Sequence, residues 1–221
     1  MGVPIAGYIV TIVMGYLLGS IPTGFLVAKA RGIDIRTLGS GNIGATNVFR
    51  ILGTVAGVFV LFADALKGWL AVAVLADVVA RLLLPSSGAL AREWLAICGG
   101  VAAVLGHNYT CWLHFKGGKG IATSAGVLLA LVPWALLIIL SIWILIFAFT
   151  RYVSLASICA SAVLPPATWF TTGSINLTGI TSLMAALAIY KHKANIQRLL
   201  NGTENRLTSK KKPVTHPNQT S

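Results

Sequence analysis

The sequence predicts an all-α fold, a polytopic membrane helix bundle with seven transmembrane helices, its N-terminus outside and its C-terminus in the cytoplasm. Three observations predict it. Of 221 residues, 56% are hydrophobic and only 10% charged, with a mean hydropathy of +0.83. A soluble domain carries about a quarter charged residues and cannot hide so much apolar surface in one core of this size. The few charges are separated by long uncharged runs at 2–28, 94–115, 120–150 and 152–190. Finally, the net charge of +12 is distributed unevenly along the chain. That distribution suits a membrane topology rather than nucleic acid, and no nucleic-acid partner is expected.

Each span needs about 20 apolar residues. Residues 2–28 supply the first, with no basic segment before Lys29, so it reads as a retained anchor rather than a cleaved signal. The stretch 51–80, apolar apart from Asp64, Lys67 and Asp77, supplies the second, with Arg50 leading into it. Residues 94–115 give the third. The run 152–190 gives two, with breaks expected around Pro165-Pro166 and Thr171–Ser174. The run 120–150, with Pro133 near its middle, is too long for one span and too short for two full ones. Read as a hairpin with at least one stubby helix, it puts fourteen of the seventeen basic residues on one side, leaving Arg81 and Arg92 opposite and Lys67 inside. The positive-inside rule selects the hairpin. Residues 1–205 form a single membrane domain, and 206–221 form a polar, basic cytoplasmic tail expected to be disordered. Cys98, Cys111 and Cys159 form no CxxC pair, so neither a disulfide framework nor a metal site is indicated.

Three polar clusters fall on the cytoplasmic side. The first runs from Gly39 to Arg50 and contains Ser40, Gly41, Asn42, Gly44, Thr46 and Asn47. Its GxGxxG pattern follows a membrane span rather than a strand, so it is no dinucleotide fingerprint. A glycine-rich loop with hydroxyl and amide groups and an arginine suits a phosphate. The second cluster joins His107 and Asn108 to Lys116, Gly117, Gly118, Lys119 and Gly120 at a helix start, where an anion is favoured. His107, about two turns inside the third span, reads equally as a structural histidine or a substrate contact. The third cluster places His192, Asn195 and Arg198 at i, i+3 and i+6 on one helical face. Glu204 beyond it reads as a structural ion-pair partner, and Asp64 and Lys67 as a structural pair inside the second span.

These clusters resemble the three signature motifs of the bacterial acyl-phosphate:glycerol-3-phosphate acyltransferase family (PlsY). Ser40–Arg50 resembles SGNxGAxNxxR. Gly106–Asn108 with Phe115–Gly120 resembles GHN followed by FKGGKG, and His192–Glu204 resembles HxxNIxRLxxGxE. The resemblance implies seven membrane helices in the bacterial inner membrane with the site facing the cytoplasm. It implies transfer of a fatty acyl group from acyl phosphate to the 1-hydroxyl of sn-glycerol 3-phosphate, the first acylation of phospholipid synthesis. The substrates and the lipid bilayer are then the partners, and no cofactor, metal or obligate protein partner is called for.

The residues suit that chemistry. Acyl phosphate is a mixed anhydride with its leaving group already attached. Arg50, Lys116, Lys119 and Arg198 with two glycine-rich loops gather two phosphates. Ser40, Arg50, His192 and Asn195 are the expected catalytic set. Ser40 serves as a hydrogen-bond donor rather than a nucleophile, and the proton goes to His192 or to a donor phosphate oxygen. The HxxxxD signature of thioester-using acyltransferases is absent, since Trp112, Lys119, Gln197 and Ser221 stand five residues after the four histidines. The rival class is a transporter or channel for phosphate or a phosphorylated metabolite. It requires anion-handling groups along a transmembrane path, where this chain offers only Asp64, Lys67 and Asp77.

Overall fold

The computed structural model describes residues 5–85 and 88–207, and within them the chain is all helix and turn. The tail expected over 206–221 lies outside the described residues from 208 onward. Helices α1 (Ile5–Ser20) and α2 (Thr23–Lys29) make one apolar stretch interrupted at Pro22, which has no N–H to continue the ladder. The Ile21 carbonyl at that break accepts the Thr23 N–H at 3.0 Å and Lys67 Nζ at 2.9 Å. Next come α3 (Ala45–Leu52) and α4 (Thr54–Leu70). Gly53, at φ 90°, turns the chain between them, a conformation that favours glycine. Arg50 therefore does not lead into the second span as the sequence suggests. It sits in a separate short helix folded back on α4, where Gly57 lets Phe49 approach.

A π-helical turn over Ala71–Leu75 joins α4 to α5 (Ala76–Leu83), and α6 spans Ala89–Asn108. The run 120–150 breaks at Val132, giving α7 (Ile121–Leu131) and α8 (Pro133–Thr150) with proline at the first helical position. At about 1.5 Å per residue, the 11 residues of α7 reach only about half-way through a bilayer core. Helices α9 (Val153–Thr172) and α10 (Ile175–Lys191) divide at Gly173, φ 61°, and Ser174 caps α10 by accepting the Leu177 N–H. Pro165 and Pro166, expected to contribute to that break, instead lie within an unbroken α9. A membrane helix tolerates proline where neighbouring groups satisfy the freed carbonyls. Helix α11 (Lys193–Leu200) follows α10 after a bend at His192.

The helices pack as two blocks. In the first, α1 crosses α6 so closely that a Cβ at Gly19 would strike the Ala103 carbonyl, and α7 meets α4 where a Cβ at Gly126 would strike the Ala65 carbonyl. In the second, α9 is packed between α8 and α10. The blocks share an apolar core around Val127, Leu128, Val132, Ile139, Leu164 and Met184. Toward the end that carries the three clusters they diverge, leaving a cleft.

Among the described residues five apolar stretches are long enough to cross a membrane: Ile5–Lys29, Thr54–Leu83, Ala89–Leu113, Pro133–Thr150 and Val153–Thr172. Helices α7 and α10 are apolar but shorter. The outward residues Val55, Phe149 and Phe170 are more than 80% exposed. Such a surface belongs in lipid, where it carries no hydration penalty. The chain is an integral membrane protein.

Candidate active site

A cavity of about 310 Å³ occupies the cleft. At its polar end it is lined by Ser40, Asn42, Gly44, Thr46, Asn47, Arg50, Asp64, His107, Lys119, Gly120, His192, Asn195 and Glu204. Residues from all three clusters meet there. The other end is apolar, walled by α7, α8, α9 and α10 through Leu128, Ile139, Trp143, Leu164 and Met184.

The first loop is built around Asn47, which is 1% exposed. Its Oδ1 accepts the Ser40 N–H at 2.9 Å, and its Nδ2 donates to the carbonyls of Leu38 at 3.0 Å and Asn42 at 2.9 Å. Asn42 Oδ1 accepts the Gly44 N–H at 2.8 Å. Asn47 thus holds the loop rather than offering its amide to a ligand, whereas Asn42 ties the loop through Oδ1 alone. The Gly41 N–H donates to the Leu38 carbonyl, and Gly41 itself lies outside the cavity at φ 67°. Free donors on this loop include the Asn42 Nδ2 group, the Ser40 and Thr46 hydroxyls and the first N–H groups of α3 at Ala45 and Thr46, which have no intrahelical partner.

The second loop is folded onto the end of α6. Gly117 N–H donates to the Asn108 carbonyl at 3.2 Å and Gly118 N–H to the His107 carbonyl at 3.0 Å. A Cβ at Gly117 would strike the His107 carbonyl, and one at Gly118 would strike His107 Nε2. These glycines, expected as phosphate cradles, are there for close approach, and their N–H groups are taken. Lys116 is exposed and outside the cavity, whereas Lys119 lines it beside Gly120, which starts α7 at φ 78°. Asn108 is fully buried behind Gly120 and outside the cavity, and its side-chain amide has no partner among the described residues.

His107 belongs to the last turn of α6 rather than lying two turns deep. Its Nδ1 is 3.6 Å from Asp64 Oδ1, and Asp64 also pairs with Lys67 at 2.8 Å and accepts the Thr23 hydroxyl at 3.1 Å. Both partners of the Asp64–Lys67 pair are almost wholly buried. Either charge alone there would be costly, so the pair acts as one neutral unit that fastens α2 to α4.

The third cluster bends at His192, which ends α10 and precedes α11. His192 Nδ1 lies 2.8 Å from the Ala188 carbonyl, which can only accept, so Nδ1 carries the proton and Nε2 is left as an acceptor. Burial and the nearby Lys119 ammonium push the imidazole down to about 4, against the pull of the Ala188 carbonyl and Glu204. Lys119 is itself lowered to about 8 by burial and by the cations of Arg198, Arg50 and Lys191, with Glu204 opposing. Asn195 Oδ1 accepts from Lys119 Nζ, and its Nδ2 donates to Glu204 Oε1 at 2.8 Å. Glu204 further accepts Arg198 Nε at 2.7 Å and the Ser154 hydroxyl at 2.9 Å. Burial opposes its ionisation, but the donors from Asn195, Arg198 and Ser154 hold it below the usual carboxylate range. Arg198 is thus held by Glu204 and does not line the cavity. Arg50 Nη2 donates to the Asn205 carbonyl at 3.1 Å, while its buried Nε has no partner among the described residues.

The sequence analysis missed Ser154 and the whole apolar wall. The one trace of them is a helical spacing of small residues, Ser154, Ser157, Ala160 and Ser161, which marks the cavity face of α9. Among the described residues no group of three His, Cys, Asp or Glu side chains is arranged to hold a metal.

A cleft with a cationic floor at one end of a membrane bundle and an apolar arm between its helices defines the class of integral-membrane enzymes. Residues 9–202 match the glycerol-3-phosphate acyltransferase family model. The chain is 48% identical over 202 residues to the glycerol-3-phosphate acyltransferase of Geotalea daltonii, covering 89% of this chain and 96% of the relative. It is 51% identical over 191 residues to that of Geobacter metallireducens, covering 86% and 93%. The crystal structure of PlsY (YgiH), an integral membrane glycerol 3-phosphate acyltransferase in its glycerol 3-phosphate form, aligns with a TM-score of 0.80 at 40% identity, covering 91% of this chain and 96% of that one. Its lysophosphatidic acid form aligns with a TM-score of 0.78. The chain belongs to the glycerol-3-phosphate acyltransferase family.

Proposed function

We propose that this protein transfers a fatty acyl group from acyl phosphate to the 1-hydroxyl of sn-glycerol 3-phosphate. The products are 1-acyl-sn-glycerol 3-phosphate and inorganic phosphate. The observation that carries the reading is the meeting of Arg50, Lys119 and His192 on one cavity whose far end is apolar. Relatives and neighbours named for glycerol 3-phosphate support the acceptor. The cationic floor supports a donor whose leaving group is phosphate, with the acyl chain lying in the arm between α7 and α8–α10.

In this reading the hydroxyl oxygen attacks the acyl carbonyl carbon, the bond from that carbon to the phosphate oxygen breaks, and phosphate leaves. Arg50, Lys119 and the N-terminus of α3 neutralise the two phosphates and fix their separation. His192 Nε2 accepts the hydrogen bond of the attacking hydroxyl and orients it. With its imidazole at about 4, His192 is a weak base in the unliganded site, so the hydroxyl proton passes to a phosphate oxygen of the donor. Ser40 and Thr46 donate hydroxyls to phosphate oxygens, and Asn195 sets Lys119.

The membrane arrangement in this reading has seven spans, made of the five long stretches plus α7 and α10, within a single domain over 1–205. By chain order in this arrangement Lys29, Arg31, Arg36, Arg50, Lys116, Lys119 and Arg151 fall on the side of the cavity's polar end and Arg81 and Arg92 on the other. This supports a site facing the cytoplasm of the bacterial inner membrane. Detergent-solubilised protein tests the function, because an enzyme releases phosphate from acyl phosphate plus glycerol 3-phosphate without any closed membrane. No release would contradict the reading.

A further inference from the structure

We infer that Lys191 is a positioning residue that pins the His192 bend to the second glycine loop while substrate occupies the site. The inference rests on the proposed acyl transfer. Lys191 is the last residue of α10, next to His192, and it does not line the cavity. Its Nζ donates to the Asn108 carbonyl at 3.1 Å and stands 4.5 Å from the centre of the Tyr109 ring. An ammonium over an aromatic face adds to the bond. The same Asn108 carbonyl accepts the Gly117 N–H, and the Tyr109 carbonyl accepts the Tyr16 hydroxyl at 2.6 Å. One short segment therefore ties α1, the second loop and the end of α10 together.

The blocks are also bridged across the cleft mouth by Lys119 to Asn195 and by Arg50 to the Asn205 carbonyl. Both of those bridges use cations that line the cavity, and a phosphate draws each of them away from its present neutral partner, because a charged acceptor makes the stronger bond. The Lys191 bridge lies behind the wall and is not in that competition. Because the His192 ring is fastened to Ala188 in the same last turn of α10, its direction follows wherever that turn is held. Lys191 thus fixes Nε2 relative to Lys119 at the moment when the other two bridges are released. A displacement of about 1 Å in such a group is enough to cost a large factor in rate.

The test uses purified full-length protein with acyl phosphate and glycerol 3-phosphate, separating kcat from KM for glycerol 3-phosphate. Lys191→Met, similar in length but without charge, is expected to lower kcat about tenfold or more while KM moves less than about threefold. Lys191→Arg retains the donor and the ring contact and restores kcat to within about threefold. Lys193→Met, which removes a neighbouring exposed cation that faces Tyr190, matches wild type. Wild-type kcat in Lys191→Met, no rescue by Lys191→Arg, or a loss confined to KM would each overturn the inference, the last by making Lys191 a direct phosphate ligand. Where Lys191→Met is not recovered as folded protein, Tyr109→Leu weakens the same pin and should lower kcat about two- to fivefold, with unchanged kcat overturning it. An activity-independent measurement separates this inference from the function itself. Spin labels at the exposed positions Thr37 and Asn201, in a cysteine-free background and in saturating inorganic phosphate to draw Arg50 and Lys119 from their bridges, should give a broader distance distribution in Lys191→Met than in wild type or Lys193→Met. An equally narrow distribution overturns the pin even if wild type proves inactive with acyl phosphate.

Discussion

The ammonium of Lys119 is bonded to the side-chain oxygen of Asn195, 76 residues further along the chain. Asn195 is fixed in turn by Glu204, which also receives Arg198 and Ser154. A cation lining the cavity is thereby aimed by a neutral amide, and the amide is aimed by a carboxylate on the same cavity whose charge is offset by Arg198.

Lys119 sets an alkaline limit on activity. Its ammonium, brought down to about 8 by burial and neighbouring cations, is charged below that value and neutral above it. The kcat/KM for glycerol 3-phosphate in wild type should therefore fall as pH rises through about 8. Lys119→Arg stays charged throughout and should lose that limb while retaining most of the activity at pH 7. A limb at 8 that persists in Lys119→Arg would assign it to another group.

Arg50 should tolerate replacement less well. Nη2 bonds the Asn205 carbonyl and Nε has no partner among the described residues, so in the proposed reading a phosphate draws Nη2 from that carbonyl and the planar fork holds two of its oxygens. Arg50→Lys retains the charge and loses the fork. Activity should drop by more than about tenfold, equivalent to about 1.4 kcal/mol or more of transition-state stabilisation, and a milder effect than Lys119→Arg would contradict this.

His192 affects stability and rate at different pH. Its folded value, about 4, lies below the 6.5 of an open histidine. The unfolded chain thus takes up the proton first, and stability is full above about 6.5 and is lost as pH falls toward 4. The melting temperature of His192→Gln should decline less over that window than that of wild type. In kinetics, a phosphate substrate brings its own ionisation near 6. An acidic limb there should survive in His192→Gln while the rate falls, and its disappearance would make His192 the base.

Asp64 and Lys67 form a unit whose halves cannot be removed separately without cost. Asp64→Asn leaves Lys67 charged and buried, a loss on the order of 3–5 kcal/mol that should appear as a large fall in melting temperature. Adding Lys67→Met removes the stranded charge and should recover most of it. No recovery in the double variant would mean that Thr23 and His107, rather than Lys67, depend on the carboxylate.

Much of this was legible in the sequence because lipid is a simple solvent. Long uncharged runs had to be helices, and charge parity was enough to expect a break near Pro133, where the chain does divide at Val132. Pro165 and Pro166 misled because a membrane helix can run through a proline, and Gly173 ends the helix instead. The clusters were visible as residue types, but composition could not say which groups are already occupied. Asn47 is loop architecture, Gly117 and Gly118 are room for His107, and Lys116 is exposed outside the cavity. Lys191 was hidden for the opposite reason, since a basic residue at the end of a span reads as a topology signal whatever it touches. Ser154 and the apolar wall carry no motif and appear only when α9 and α10 pack.

The central claim, acyl transfer from an acyl phosphate held by Arg50 and Lys119, is tested most directly by identifying products with each donor. Purified protein is supplied with glycerol 3-phosphate and either acyl phosphate or acyl-CoA, and lipid product and released phosphate are quantified together. The account predicts 1-acylglycerol 3-phosphate and phosphate in equal amounts from acyl phosphate, and no lipid product from acyl-CoA. Comparable product from acyl-CoA, or phosphate released from acyl phosphate without an acylated glycerol phosphate, would contradict it.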